Sequence, residues 1–311
     1  MNPVLDGRWR GHFGIARFGR EVLRRLPSEW PRLDSGSPWS PFQGVSKTRY
    51  SPGFNVSLSR RQILTVHDLI HLDEPAEASR AKSAYYESVL KPAIRRTGIV
   101  HTVSEYSKRR IETWLADDKV RVVNVGNSVD VGVFGALERR ARQEEFLYVG
   151  NLKPHKNARV LWEALRQRPD YRLTVVTGDG AQARRWTDES GLGEQVSVRT
   201  GMTDSELAGL YATSAGLVFP SKLEGFGLPA LEARVGRVPV AFAASCAVVG
   251  ETVGECGVGV VDDESPSAWA ESMDQLAGGE WSGTFARAST PISWDEVAAN
   301  VQQSIESELS A

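Results

Sequence analysis

Residues 215–235 constrain this chain more than any other stretch, because their local signals all point to one supersecondary unit. Residues 215–220, AGLVFP, have the composition of a buried strand. A loop follows over residues 221–227, with Gly225 and Gly227 on either side of Phe226. Pro229 then stands where a first helical turn begins, and Leu228, Leu231 and Val235 recur at helical spacing. Glu224 sits at the mouth of that helix and Glu232, eight residues on, about one turn inside it. Glycines let a backbone approach a ligand closely, and the free amides and positive dipole end of a helix start attract an anion. Carboxylates accept strongly from paired hydroxyls. The pattern suits a phosphorylated, hydroxyl-rich ligand. It equally fits an ordinary strand–turn–helix unit with two solvated acids.

A length of 311 residues allows two ordinary domains, and a net charge of −2 gives no electrostatic case for binding nucleic acid. Cys246 and Cys256 are too few for a disulfide framework and lack the neighbours of a metal site, so both read as core thiols of a reducing compartment. The start, MNPVLDGRWRGHFG, has no apolar signal core. No window approaches the roughly 18–20 apolar residues of a membrane span. A soluble, cytoplasmic protein is expected.

Strands and helices alternate along the chain, which argues for two Rossmann-like α/β domains. A strand at residues 3–5 leads into a glycine-rich loop, 7–14, and a helix over 15–26. Arg17, Arg20 and Arg24 fall on one face of that helix, either a surface for an anionic acceptor or membrane, or a plain solvated face. Residues 27–52 read as irregular with one short strand, and carry Trp30, Trp39 and Phe42. Residues 62–69 form a β-rich run that ends at His67 and Asp68, where parallel sheets gather ligand groups. A helix over 78–96, a strand at 99–103, a helix from 104 to 115 and a strand at 119–125 follow. Residues 136–145, ALERRARQEE, read as a charged linker. Lys156 lies between a strand at 146–150 and a helix over 158–167. Residues 178–183 match G-x-G-x-x-A, and Arg199 at the end of the next strand would suit NADP. Thr203 and Glu206 make a capping box. Asp262 and Asp263 read as solvated loop acids, and residues 293–309 as an amphipathic helix.

Residues 224–232, EGFGLPALE, resemble the E-x7-E signature of the retaining GT-B glycosyltransferases of family 4. The resemblance implies that Glu224 lies beside the donor sugar and Glu232 holds the nucleotide ribose, with Gly225, Phe226, Gly227 and Leu228 in the donor site. Residues 14–18 resemble the segment that touches the donor diphosphate, a role carried to Gly14. Residues 65–69, TVHDL, resemble the motif whose histidine, here His67, faces the reacting sugar. Residues 150–156 resemble the G-R-x-x-x-x-K loop that grips the leaving diphosphate. Lys156 matches, whereas Asn151 stands at the arginine position and removes one charge from the clamp. The loop before the capping box places the base near Met202.

The resemblance therefore implies an α/β GT-B fold, two Rossmann-like domains facing across a cleft, with the last helix crossing back. The expected bounds are 1–138, 139–290 and 291–311, the first domain being short for the family. It implies a metal-independent, retaining glycosyltransferase without a cofactor, with Glu224 and His67 at the reacting centre. The donor is a sugar nucleotide, GDP-mannose first, with UDP- and dTDP-sugars open. The acceptor is a hydroxyl of a glycan, a lipid-linked sugar or a small molecule. Two other readings stay open: an NADP-dependent α/β enzyme, and a non-catalytic sugar-nucleotide or glycan-binding protein of this fold.

Overall fold

Parallel strands buried on both faces need continuous apolar runs, and the chain supplies them twice. The structure, a computed structural model, describes residues 2–8, 14–33, 48–57, 59, 61–73 and 80–310. Trp39, Phe42, Ala78 and most of the first glycine-rich loop lie outside the described residues. The described strands form two six-stranded sheets, parallel throughout.

The first compact unit comprises residues 1–128 and 292–311. Its strands are β1 (Val4–Asp6), β2 (Arg32–Leu33), β3 (Arg49–Ser51), β4 (Gln62–Thr65), β5 (Ile99–Thr102) and β6 (Arg121–Asn124), in the order β2-β1-β3-β4-β5-β6. Where the sequence suggested one short strand in residues 27–52, two lie among the described residues, β2 and β3. Leu64, Val66, Leu90, Ile94, Val100 and Ile111 pack together as the core on one side of this sheet. Residues 80–97 run as helix with a π-helical turn, Tyr86–Leu90, in the middle. Pro92 follows that turn and has no N–H to give, and the Lys91 amide reaches back five residues to Tyr86 O. The helix Trp294–Ser310 buries Val297, Val301 and Ile305 in the same unit. It stacks Trp294 edge-on to Phe18, shares a hydrogen bond between Ser304 Oγ and His101 Nε2 (2.9 Å), and accepts Arg61 and Arg121 on Glu308.

The second unit is Val129–Pro291, so it begins earlier than position 139. The helix Val131–Phe134, capped by Asp130, explains the difference: Phe134 is buried edge-on to Tyr211 of this unit. The strands are β7 (Arg142–Val149), β8 (Arg172–Val176), β9 (Val196–Arg199), β10 (Ser214–Phe219), β11 (Val240–Ala243) and β12 (Gly257–Val260), ordered β12-β11-β10-β7-β8-β9. Residues 142–145, read as linker, are the exposed, charged start of β7. Pairing with β8 begins at Glu145 and with β10 at Arg142, so backbone hydrogen bonding outweighs the polar composition. β10 is buried along its whole length.

The helix Pro266–Gly278 buries Trp269 completely, and its indole N–H donates to Asp263 O at 2.9 Å. Asp263 is thus no solvated loop acid. Its carboxylate accepts from Ser245 Oγ and pairs with Lys222, and its side chain is 13% exposed. Truncating a buried tryptophan costs about 3–5 kcal/mol. Trp269→Ala is expected to lower the stability of the second unit by that amount, read from urea unfolding.

Candidate active site

In an open parallel sheet, ligands settle at the carboxyl ends of the strands, where successive connections turn opposite ways. In the second unit that point lies between the neighbours β7 and β10. Lys156 follows β7 and Glu224 follows β10. Lys156 Nζ donates to Glu224 Oε1 at 2.6 Å, with both side chains largely buried. The 3₁₀ turn Pro154–Lys156 presents the lysine, and Asn157, with φ 49°, closes the turn and donates to Asp263 O at 2.7 Å. Lys222 N donates to His155 O, which ties this turn to the loop that carries Glu224. Cys246 lies beside the pair. Burial, then the Glu224 charge, pushes its thiol up to about 12, so it stays protonated and inert.

The helix Leu228–Val235 begins at Gly227, whose φ of 84° favours glycine, and no side chain caps it. The amides of Gly227 and Leu228 make no hydrogen bond among the described residues, which leaves them to a ligand. Gly225, Phe226 and Leu228 are half-buried at this loop. Glu232 is buried one turn in, and the Tyr211 hydroxyl donates to its Oε2 at 3.2 Å. Burial first, then Glu232, raises the Tyr211 phenol, so it remains a donor.

Asn151 is exposed at the end of β7. Its Oδ1 accepts from Lys153 N at 3.3 Å, and its backbone carbonyl accepts from the Tyr148 hydroxyl at 2.6 Å. His155 is buried. Met202 is half-buried beyond β9, just ahead of the helix Asp204–Thr213 with its Thr203–Glu206 capping box.

In the first unit the corresponding point lies between β1 and β3. Gly14 starts the helix Ile15–Leu23 with φ 57° and ψ −129°, a backbone that side chains rarely tolerate. His67 follows β4 and is buried edge-on to Phe18, 4.8 Å away. Its Nε2 lies 2.9 Å from Pro52 O, an acceptor only, so Nε2 carries the proton and Nδ1 is left as an acceptor. Burial lowers its pKa to about 4, against a smaller opposing effect from Pro52 O. Ser107 Oγ donates to His67 O and fixes the turn, while Ser104 caps the helix Glu105–Leu115. Asp68 accepts from Ile70 N and so shapes the turn rather than the imidazole. Arg17 is buried, and Glu21 pairs with Arg20, Arg24 and Arg25. Arg17 is thus withdrawn from the face that helical spacing gave it, while Arg20 and Arg24 stay exposed beside Glu21. Among the described residues no helix is long and apolar enough to cross a membrane.

Two parallel six-stranded sheets with their helices are the fold of the GT-B glycosyltransferases. Residues 134–281 match the family model described as glycosyl transferases group 1, and the second unit belongs to that family. The O-antigen chain mannosyltransferase RfbU of Salmonella typhimurium is 31% identical over 189 residues, covering 60% of this chain and 52% of its own. The chain spans about half the length of the curated relatives it matches. Sucrose-phosphate synthase from Thermosynechococcus elongatus superposes at a TM-score of 0.71 with 16% identity, over 100% of both chains. Anabaena HepE, solved with UDP and glucose, superposes at 0.69 with 15% identity, again over 100% of both chains.

Tyr148, Asp179 and Tyr211 join the site without having been singled out. Tyr148 and Tyr211 carry no local sequence signal. Asp179 was visible only inside the G-x-G turn. In that turn Gly180 packs against Thr200, where an added Cβ would lie 2.6 Å from the Thr200 methyl.

A neutral, buried His67 has a consequence in acid. Between pH 6.5 and about 4 the unfolded chain binds a proton here that the folded chain refuses, so stability falls as the pH falls through this window. The loss from His67 is on the order of 3 kcal/mol. The imidazole of His67 is expected to show no titration by NMR between pH 8 and 5.5. A midpoint near 6.5 would contradict its assigned environment.

Proposed function

We propose that this chain is a retaining, metal-independent hexosyltransferase that moves a sugar from a nucleotide-diphosphate donor to an acceptor hydroxyl. The observation that carries this reading is the meeting of Lys156 and Glu224 beside an uncapped helix start at the β7/β10 switch point. A leaving diphosphate there finds an ammonium and unused amides, and charge aimed in advance at a leaving group is a large source of rate. Glu224 holds the donor sugar and faces the positive charge that develops at its reacting carbon. Glu232, steadied by Tyr211, accepts from the two ribose hydroxyls. Gly14 approaches the diphosphate through its backbone, and Met202 lies against the base. In the first unit, the Nδ1 of neutral His67 accepts from a sugar hydroxyl.

Mannose is the first donor sugar to test, since the Salmonella relative is named a mannosyltransferase. UDP- and dTDP-sugars are the next, and a structural neighbour holds UDP. A glycan, a lipid-linked sugar or a small molecule supplies the acceptor hydroxyl. The NADP reading loses support, because the Asp179 carboxylate in the G-x-G turn is bonded within the protein, to the Leu152 amide. Asn151 favours the second reading, a protein that binds donor without turnover, by leaving Lys156 as the matched cation of the clamp.

A thermal-shift panel of GDP-, UDP- and dTDP-sugars identifies the donor, and transfer or donor hydrolysis is then followed with it. Lys156→Ala and Glu224→Ala are each expected to lower turnover at least about 100-fold, the scale of losing one preorganised charge. Both variants should keep the wild-type circular dichroism. Donor binding with no turnover in the wild type would select the non-catalytic reading, and wild-type rates in both variants would remove the site assignment.

A further inference from the structure

Asp179 stands at the N-cap of the helix Gly180–Ser190, a position where aspartate ordinarily accepts from the amide two or three residues on. Here the side chain makes no capping bond. The helix forgoes that contact. The carboxylate turns instead to the loop after β7, where Oδ2 accepts from Leu152 N at 2.8 Å. The Asp179 amide donates to Thr177 Oγ1 at 3.0 Å, which fixes the turn that carries the carboxylate.

Leu152 N–H is one end of a peptide group whose other end is Asn151 C=O. That carbonyl accepts from the Tyr148 hydroxyl at 2.6 Å. A single peptide plane is therefore gripped from both edges, by a donor from β7 and an acceptor from the turn after β8. Tyr148 is fully buried, and burial raises its phenol above the ordinary value, so the donor is always present. The side chain of Leu152 is itself buried. With both ends of the peptide held, the plane cannot flip, and the chain from Asn151 to Lys156 leaves β7 in one direction.

We propose that Tyr148 and Asp179 are positioning residues that clamp the 151–152 peptide and so hold Lys156 in place for the donor diphosphate. The diphosphate part rests on the function proposed above; the clamp itself does not. The role needs an acceptor at position 179 and not a charge, since a carboxylate beside a diphosphate only repels it. An asparagine keeps an acceptor oxygen and removes the charge.

The test uses the full chain, with GDP and UDP as probes in isothermal titration. Asp179→Ala and Tyr148→Phe are each expected to weaken the better-bound nucleotide about tenfold, the loss of one hydrogen bond of about 1.4 kcal/mol. The double variant should be little weaker than either single one, because both act on the same peptide. Asp179→Asn should bind within about threefold of wild type. Amide hydrogen exchange at Leu152 gives a readout independent of any ligand: slow in wild type and Asp179→Asn, fast in Asp179→Ala. Slow exchange at Leu152 in Asp179→Ala would overturn the clamp, as would Asp179→Asn binding as weakly as Asp179→Ala. Unchanged nucleotide affinity in Lys156→Ala would instead remove the donor reading, while the exchange measurement still decides the clamp. Should Asp179→Ala fail to fold, Tyr148→Phe tests the same plane from its other edge.

Discussion

The pairing of β10 with β7 is the constraint on which the second unit depends. The two strands are far apart in sequence, yet they lie side by side at the centre of the sheet, with Gly216 opposite Phe146 and Leu217 opposite Leu147. The loops that follow them, joined by the Lys222 N–His155 O hydrogen bond, are where an ammonium and a carboxylate meet. Backbone hydrogen bonding thus places the two charged groups, and the side chains need only reach across. The same geometry explains why Glu224 and Lys156, separated by 68 positions, act as one feature.

Three carboxylates of this region are buried or half-buried with partners. Glu232 has Tyr211, the Asp263 carboxylate has Ser245 and Lys222, and Asp179 has the Leu152 amide. An unpartnered buried polar group costs about 1–3 kcal/mol, so each contact repays a penalty as well as setting a direction. In the first unit His67 is likewise buried with a partner: its Nε2 donates to Pro52 O, while burial, the larger effect, keeps the imidazole neutral.

Much of this was legible in the chain itself. The apolar run at residues 215–220 became β10, and the glycines and Pro229 marked a helix that begins at Leu228. Those signals are local, and local sequence carries them. The polar residues 142–145 misled, because this exposed first part of β7 is held by backbone pairing with its neighbours, which polar side chains do not prevent. Arg17 looked like surface beside Arg20 and Arg24, since helical spacing gives a face but not its depth. Tyr148 and Tyr211 were illegible for another reason. Tyr211 acts on the Glu232 carboxylate, 21 positions away and brought near by the fold, while Tyr148 acts on a carbonyl three positions on that only the turn after β7 bends back to it.

The helix Trp294–Ser310 gives the two units unequal positions in time. The second unit is one continuous stretch, whereas the first needs residues from both sides of it. Ser304 must find His101 across 203 positions, and Asp295 must find Arg25 across 270. Closing loops of that size is slow relative to local contacts. During synthesis, the part of the chain made first would therefore be completed last, and until the final helix docks, Phe18 and His101 lack Trp294 and Ser304 as cover. A chain cut short before residue 294 and released would carry every residue of the second unit and an unsealed first one.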